Sequence, residues 1–458
     1  RLGTFDLVIG NPPYRLAGKI DLAVRRARAA VVQTDWPELD ARLVDGVARH
    51  ADVAATCLLR ALRLVRPGGR LAFVVSTALV DADAAAPLWE AIAKIASVRA
   101  LVIAPSERWF ADAAVNPMLV IADRVPARSG PRLLRLTAPT EVAAHAVGLD
   151  AIAAMCDERR ADTPAQWGAA LRAPAAWFAW RQAAAGAVVP LSELAAVRRG
   201  MTTGANRVFY LRRADATARR LEPAYLAPVV RSPFNGSPTA IAVAPDESPL
   251  VALALPPDLA LSSVPRIAAW LDDHRGLAER TSVKRREPWW SLPFSRARLF
   301  VAKAYGPRFV QRLADVPMVA DQRVYTVEPK PGVDLIALAA VLNSLPTALA
   351  LESLGRASMG YGVVEHTVAD ANDLPVLDVR RADRSQIAAL AAALAALSPR
   401  LVEHVKLERD RDDRRALDHH VMALAPGAEL ADAMWSGLIG SVALRDRYLL
   451  PAIPAAAD

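Results

Sequence analysis

The chain has 458 residues, a formal net charge of +8, and hydrophobic residues at 53%, a proportion inflated by alanine. This length is too great for one compact core, so we expect two or three domains, and no apolar run approaches the roughly 18 residues of a membrane-spanning helix. The two cysteines, Cys57 and Cys156, exclude a disulfide framework and a zinc-ligand spacing, and they fit a reducing cytoplasm. The first residue is Arg1, with no initiator Met or leader, so we expect a piece of a longer chain.

The first 125 residues alternate short apolar runs with helical stretches, which indicates an α/β layer with a parallel sheet. The Pro67-Gly68-Gly69 step predicts a helix end followed by a turn into the next strand. Strands are predicted at residues 5–10, 71–76, 98–104 and 117–122, and helices at 51–64 and 88–96. These elements make up part of a doubly wound sheet rather than a complete one.

The rest of the chain falls into three predicted segments. Residues 126–189 carry repeated prolines and are predicted to connect two domains. Residues 190–380 contain short β-like runs at 208–211, 299–302 and 324–327, which indicates a mixed α+β domain. From residue 381 to 458 the apolar spacing of three and four predicts C-terminal helices, and the pair His419-His420 more simply marks one side of such a helix than a metal site.

The four residues Asn11-Pro12-Pro13-Tyr14 follow the first predicted strand directly. They present a side-chain amide, a proline-fixed turn and an aromatic ring, which suit a flat ring that bears an amine. The Asn11 side-chain oxygen and the Pro12 carbonyl can accept the two N–H bonds of such an amine and free its lone pair, while Tyr14 packs on the ring. The alternative is a plain rigid turn with Tyr14 in the core. A second strand at the distance of one βαβ unit favours the binding interpretation.

Three segments carry a resemblance to a known family: residues 6–14, residues 64–71, and Arg108-Trp109-Phe110 before a further strand. The sequence resembles the N6-adenine DNA methyltransferases of the gamma class and the related type IIG restriction-modification enzymes. The resemblance implies the second half of a class I (Rossmann-like) methyltransferase sheet, followed by an α+β target-recognition domain and C-terminal helices. It also implies that Asn11, Pro12 and Tyr14 act on a flipped adenine. Phe110 matches the aromatic residue that packs on that base, with Trp109 as its neighbour if the register shifts by one.

Two segments of the second half are candidates for contact with DNA. Residues 191–206 carry an arginine pair, two glycines and small polar side chains, which allow close approach to phosphates, although an ordinary surface hairpin has the same composition. Residues 281–312 are strongly basic and carry interleaved aromatic residues, as expected where phosphates are neutralised and bases are packed. Both segments also resemble the target-recognition domain of the same family, as does a glycine-rich stretch at 355–362. The candidate residues are Arg198, Arg199, Thr202, Thr203, Asn206, Lys284, Arg285, Arg286, Trp289, Trp290 and Arg356.

The resemblance names S-adenosylmethionine as the cofactor and double-stranded DNA as the partner, with no metal. A complete enzyme of this family has, before the Asn-Pro-Pro-Tyr strand, a glycine-rich loop and an acidic residue that hold the cofactor. Neither occurs in this sequence, so we expect the main cofactor motifs upstream of Arg1, or on a partner chain, and weak or absent cofactor binding by these residues alone. Asp6 belongs to the strand that leads into the motif and is not a candidate for the ribose ligand.

Three functions agree with these residues. The first is site-specific adenine-N6 DNA methylation within a restriction-modification system, with or without a nuclease domain in the parent chain. A second is a DNA-recognition subunit without independent catalysis. A third is a protein-glutamine N-methyltransferase, because the glutamine amide poses the same chemical problem, but the long basic second half argues against it.

Overall fold

The computed structural model of the chain describes residues 3–13, 21–50, 52–81, 85–105, 107, 109–110, 116–127, 129–231, 239–279, 283, 286–356 and 362–446. The chain divides into two compact units. Unit 1 comprises Arg1–Pro174, Glu352–Val364 and Gly440–Asp458, and unit 2 comprises Ala175–Leu351 and Glu365–Ile439. Residues 126–174, expected as part of a connecting segment, therefore belong to the first unit.

Unit 1 is built on a six-stranded mixed sheet in the order β1-β2-β4-β3-β5-β6. β1 and β2 are parallel, β4 is antiparallel to both of its neighbours, and β3 therefore runs in the same direction as β1 and β2. β5 runs parallel to β3, and β6 is antiparallel to β5. The strands are β1 (Phe5–Gly10), β2 (Val65–Ser76), β3 (Ser97–Ile103), β4 (Pro117–Asp123), β5 (Arg132–Leu136) and β6 (Cys156–Arg159).

Most of the helices of unit 1 bury apolar side chains in the same core as the strands of this sheet. Two buried tryptophans form hydrogen bonds to the backbone of neighbouring helices. Trp36 Nε1 donates to the Leu59 carbonyl at 3.1 Å, and Trp89 Nε1 donates to the Leu79 carbonyl at 2.6 Å. Trp89 also meets Trp167 edge to face, with ring centroids 5.1 Å apart. The helices are α1 (Leu22–Asp35), α2 (Ala41–Arg49), α3 (Ala54–Leu64), α4 (Ala78–Asp81), α5 (Ala86–Ile95), α6 (Thr140–Ala143), α7 (Leu149–Ala153) and α8 (Pro164–Arg172).

The turn predicted at Pro67-Gly68-Gly69 lies inside β2 rather than before it. The pairing of β1 with β2 shifts between Phe5 and Leu7, so residues 66–69 bulge while the strand continues on either side. Gly68 adopts φ +79°, a left-handed conformation that favours glycine, and its amide donates to the Arg124 carbonyl at 2.9 Å. The Pro-Gly-Gly signal therefore marks a β-bulge, which uses the same conformations as a turn.

Unit 2 contains an eight-stranded mixed sheet whose main path is β8-β17-β14-β16-β10-β13-β9, with β12 paired to β16. Two short antiparallel pairs, β11 with β20 and β7 with β19, lie outside it. The remaining strands of the chain are β7 (Val188–Pro190), β8 (Ala195–Arg199), β9 (Tyr210–Arg212), β10 (Leu226–Val230), β11 (Thr239–Ala240), β12 (Ala242–Val243), β13 (Leu250–Leu253), β14 (Arg296–Ala302), β15 (Ala304–Tyr305), β16 (Arg312–Ala320), β17 (Val324–Pro329), β18 (Val364–Glu365), β19 (Pro375–Leu377) and β20 (Leu401–Val402).

The remaining helices lie between residues 175 and 446. A strand was predicted at 208–211, but the structure has a helical turn followed by a strand. An apolar run of four residues is too short to distinguish a helix from a strand by its periodicity. The helices are α9 (Ala175–Ala183), α10 (Leu191–Leu194), α11 (Asn206–Phe209), α12 (Arg213–Ala218), α13 (Pro265–Asp273), α14 (Leu335–Leu342), α15 (Leu345–Leu354), α16 (Val368–Asn372), α17 (Arg384–Leu397), α18 (Val405–Glu408), α19 (Asp412–Met422) and α20 (Ala431–Asp446). Short 3-10 turns lie at Pro223–Tyr225, Leu261–Ser263, Arg275–Glu279, Val379–Arg381 and Ala428–Leu430.

Within the described ranges, no single helix is long and apolar enough to cross a membrane, although α14 and α15, bent by 57° at their junction, pass the same test as a pair.

Candidate functional site

The Asn-Pro-Pro turn lies at the carboxyl end of β1. Pro12 is buried, whereas Asn11 and Pro13 are exposed, so the turn is anchored by one proline ring and presents the Asn11 amide to solvent. Tyr14 lies outside the described residues. Gly10 lies opposite Phe73 of β2, and a Cβ added at Gly10 would lie 2.5 Å from Phe73 Cε1. Glycine at position 10 therefore leaves room for the Phe73 ring just before Asn11.

The carboxyl ends of β1, β2 and β3 share one edge of the sheet, because these strands run in the same direction. Asn11 follows β1 and Thr77 follows β2 at this edge, and the loop after β3 carries Trp109 and Phe110, both half-buried. The carboxylate of Glu107 accepts from the Thr140 amide at 3.0 and 3.1 Å and fastens this loop. β2 and β4 separate β1 from β3 in the strand order.

The outer side of β1 is an apolar edge. Among the described residues β1 pairs only with β2, and its side chains Phe5, Leu7 and Ile9 are 50%, 50% and 74% exposed. Leu22 and Val24 of α1 are also largely exposed, at 55% and 46%. An unpaired strand edge with large exposed apolar side chains is a template for pairing with a further strand.

In unit 2, the two segments predicted to contact DNA come together. The Arg286 guanidinium donates to the carbonyl oxygens of Thr202 and Thr203 at 2.8 and 2.7 Å. Thr203 is buried, and its hydroxyl bonds the Asn206 side chain. Burial lowers the pKa of the Arg286 guanidinium from its usual value. Arg286 therefore holds the backbone of the 200–206 loop, and its donors are directed at protein carbonyls.

The tryptophan pair next to this contact packs inward. Trp290 is buried in the apolar core of unit 2, and Trp289 meets Phe209 edge to face at a centroid distance of 6.4 Å. The neighbouring candidates Lys284 and Arg285 lie outside the described residues. Trp289 and Trp290 thus pack against the apolar core next to the loop, and their rings are not directed outward to stack on bases.

The arginine pair of β8 is the exposed cationic feature of this region. Arg198 and Arg199 lie opposite Thr326 and Tyr325 on the neighbouring strand β17. Arg198 is exposed and pairs with Glu328 at 2.9 Å. Arg199 is exposed and forms no ion pair within the described part of the chain. Arg199 is therefore the candidate whose charge is most available to a phosphate.

Several basic residues of the 281–312 stretch serve the protein itself. Arg312 is buried and pairs with Glu247, and its guanidinium also donates to the Thr239 hydroxyl at 2.8 Å. Arg298 Nε donates to the Ala314 carbonyl at 2.9 Å. Arg356, also predicted to contact DNA, is half-buried and belongs to unit 1. The sequence cluster therefore separates into structural and surface arginines.

A cavity at the sheet edge of unit 1 was not anticipated from the sequence. Its lining comes from chain positions as distant as Thr77, Arg135, Ser353 and Ser441. None of these residues belongs to a recognisable motif, and only the fold brings them together. Within the described ranges, no group of three or more His, Cys, Asp or Glu side chains is arranged to hold a metal ion.

Among the comparisons with known proteins, only the comparison with solved structures gives matches. No family model and no curated protein matches the sequence. Among solved structures, the type IIL restriction-modification enzyme MmeI, determined in complex with DNA, matches 97% of this chain and 55% of its own, with a TM-score of 0.52 at 14% identity. This chain shares the fold of MmeI.

Two further solved structures align over nearly the whole chain. The type IIG restriction endonuclease BpuSI matches 96% of this chain and 54% of its own, with a TM-score of 0.45 and 13% identity. The DrdV–DNA complex matches 97% and 57%, with a TM-score of 0.38 and 10% identity. The chain therefore spans a little more than half the length of these neighbours.

Proposed function

We propose that this chain is part of a site-specific DNA methyltransferase of a restriction-modification system, which methylates the N6 amine of a flipped adenine with S-adenosylmethionine as donor. The observation that carries the proposal is the position of the Asn-Pro-Pro turn. It lies just beyond the carboxyl end of β1, at the edge where β2 and β3 also end, and open α/β sheets bind ligands outside these ends. The shared fold with MmeI supports the assignment to restriction-modification enzymes.

The residues at this edge hold and orient the amine. The exposed Asn11 Oδ1 accepts one N–H bond of adenine N6 and the Pro12 carbonyl accepts the other, which draws the nitrogen toward tetrahedral geometry. Pro12 is buried and Gly10 is packed against Phe73, so the turn is fixed before substrate arrives. Tyr14 and Phe110 hold the base after it leaves the duplex, because the reacting nitrogen cannot be reached within the stack.

We expect the described residues not to form a complete site for S-adenosylmethionine. Asp6, the acidic residue of β1, is exposed and pairs with Arg66 at 2.6 Å. In this proposal, a cofactor-binding half of the sheet would pair with the free edge of β1, whose apolar side chains are exposed. We therefore expect these 458 residues alone to show no micromolar binding of S-adenosylmethionine in calorimetric titration, and binding at that level would contradict this reasoning.

Unit 2 supplies the contacts with DNA in this proposal. Arg199 meets a phosphate directly, and the loop of residues 200–206 approaches the duplex with its glycines while Arg286 holds its backbone. Arg198, Thr202, Thr203 and Asn206 lie on or beside the same loop, with Trp289 and Trp290 packed beneath it. Lys284 and Arg285 remain proposed phosphate contacts, as does Arg356 of unit 1.

A second candidate function is a DNA-recognition subunit without catalysis of its own. The unpaired apolar edge of β1 favours it, because that edge fits either an upstream half of the same chain or a separate partner chain. Purification of the native complex from the cytoplasm, the expected location, and mass measurement of the chain that carries residues 1–458 distinguish the two arrangements.

The proposed reaction is tested with the complete enzyme and radiolabelled S-adenosylmethionine. We expect label in duplex DNA, at adenine N6, and none in a protein fraction. Label in protein glutamine instead of DNA would replace the proposal with the protein methyltransferase. DNA binding without any transfer would favour the recognition subunit.

A further inference from the structure

A cavity of about 100 Å³ opens at the carboxyl edge of the unit 1 sheet. Its apolar walls include Ile103 at the end of β3, Pro117 at the start of β4 and Leu444 of α20. A buried water requires roughly 10–15 Å³ of such volume, so this cavity has room for several waters or a small organic molecule. Asn11, Pro12 and Phe110 are not among the residues that line it, so it is distinct from the proposed adenine site.

The cavity holds three arginines, and two of them are neutralised. Arg172 pairs with the buried Asp81, and its Nη2 donates to the Gly355 carbonyl at 2.8 Å. Arg445 pairs with Glu352 at 2.9 Å, and both residues are buried. Arg172 and Arg445 therefore each have a carboxylate partner within unit 1.

The third arginine, Arg135, has no carboxylate partner within the described part of unit 1. Its Nη1 reaches only the Arg172 carbonyl, at 3.4 Å, while the nearby Asp157 is paired with Arg159. Burial lowers the pKa of the Arg135 guanidinium from its usual value. A half-buried guanidinium that is poorly hydrated and lacks an anionic partner is costly unless an anion binds beside it.

Two hydroxyls in the cavity wall are also without hydrogen-bond partners among the described residues. The Ser353 side chain is 1% exposed, and both Ser353 Oγ and Ser441 Oγ are buried and unpaired. Buried polar atoms are nearly always bonded, and an orphaned hydroxyl indicates a missing acceptor or water. One cation and two free donors thus line a single small cavity with apolar walls.

We propose that this cavity binds a small free monocarboxylate with a short apolar tail. The Arg135 guanidinium pairs with the carboxylate, Ser353 Oγ and Ser441 Oγ donate to its oxygens, and the tail packs on Ile103, Pro117 and Leu444. Water would satisfy the hydroxyls but would leave the Arg135 charge without an anion. The volume excludes a nucleotide and fits a ligand of roughly six non-hydrogen atoms.

The test is calorimetric titration of the 458-residue chain with butyrate, compared with butyramide, which has the same shape without the charge. We expect saturable butyrate binding in the millimolar range or tighter and at least tenfold weaker binding of butyramide. Arg135→Gln should weaken butyrate at least tenfold. Arg132→Gln, on the same strand but paired with Glu158 and Asp150 away from the cavity, should bind as the unaltered chain does.

Ser353→Ala provides a second variant that keeps all charges, and it should weaken butyrate several-fold while leaving the unfolding transition in place. Absence of saturable butyrate binding, equal binding of butyramide, or unchanged butyrate binding in Arg135→Gln would overturn the proposal. None of these measurements depends on methyl transfer, so the cavity and the proposed enzyme activity stand or fall separately.

Discussion

Replacing Arg286 by Ala separates a loop-holding arginine from a phosphate-binding one. The change removes two hydrogen bonds from a guanidinium to the Thr202 and Thr203 carbonyls. Hydrogen bonds from charged donors contribute about 1.5–3 kcal/mol each, and partial exposure reduces this contribution. The substitution should therefore destabilise the ordered conformation of the 200–206 loop by about 2 kcal/mol. If the loop must be ordered to bind DNA, the dissociation constant should rise about 30-fold, because 1.4 kcal/mol corresponds to a factor of ten.

The salt dependence of DNA binding identifies which role Arg286 has. Each phosphate neutralised by a side chain contributes about 0.9 to the slope of log K against log salt. Because the Arg286 donors are already used by carbonyls, Arg286→Ala should weaken binding at every salt concentration without changing that slope. Arg199→Ala, the matched control at an exposed arginine without an ion pair among the described residues, should lower the slope by about 0.9. An equally flattened slope in Arg286→Ala would refute the loop-holding role.

Four further substitutions test other parts of the account. In the complete enzyme, Asn11→Ala should slow methyl transfer about a hundredfold in single-turnover kinetics and leave DNA affinity near normal, and unchanged transfer would remove Asn11 from the reaction. Gly10→Ala should destabilise unit 1 by about 1–3 kcal/mol in urea unfolding, because the added Cβ meets the Phe73 ring, and Phe73→Leu should restore part of the loss. Burial raises the pKa of Asp418 to about 6, so the free energy of unfolding should fall as pH rises from about 4 to about 6 and level off above that. Asp418→Asn should abolish this fall, and a variant that keeps the same pH profile would show that another group causes it.

The strands that lead to the candidate site were predictable from the sequence. The apolar runs at residues 5–10, 98–104 and 117–122 correspond closely to β1, β3 and β4, because each is a short apolar run bounded by polar or turn residues. The position of Asn11 at a sheet edge follows directly, since the motif is contiguous with its strand.

Long-range pairing was not predictable from the sequence. β5 and β6 lie in a stretch that prolines marked as irregular, and only their pairing with β3 and with each other makes them part of the sheet. The roles of the arginines depend in the same way on distant partners. Arg286 and its acceptor Thr203 are 83 residues apart, and Arg312 and Glu247 are 65 apart, so composition marked both arginines as basic surface.

The cavity in unit 1 could not be predicted from the sequence at all. Its charged and polar lining includes residues of β5, of α15 and of α20, which lie far apart in the chain. Arg135, Ser353 and Ser441 carry no local pattern that sets them apart from other arginines and serines. Their significance comes only from burial without partners.

The central claim, adenine-N6 methylation directed by the Asn-Pro-Pro turn, is tested most directly by sequencing that detects modified bases in a host expressing the complete gene. The account predicts N6-methyladenine at one recurring DNA sequence, and its disappearance when Asn11 is replaced by Ala. Unmodified adenines in the host with the intact gene, or methylation that persists in the Asn11→Ala variant, would contradict it.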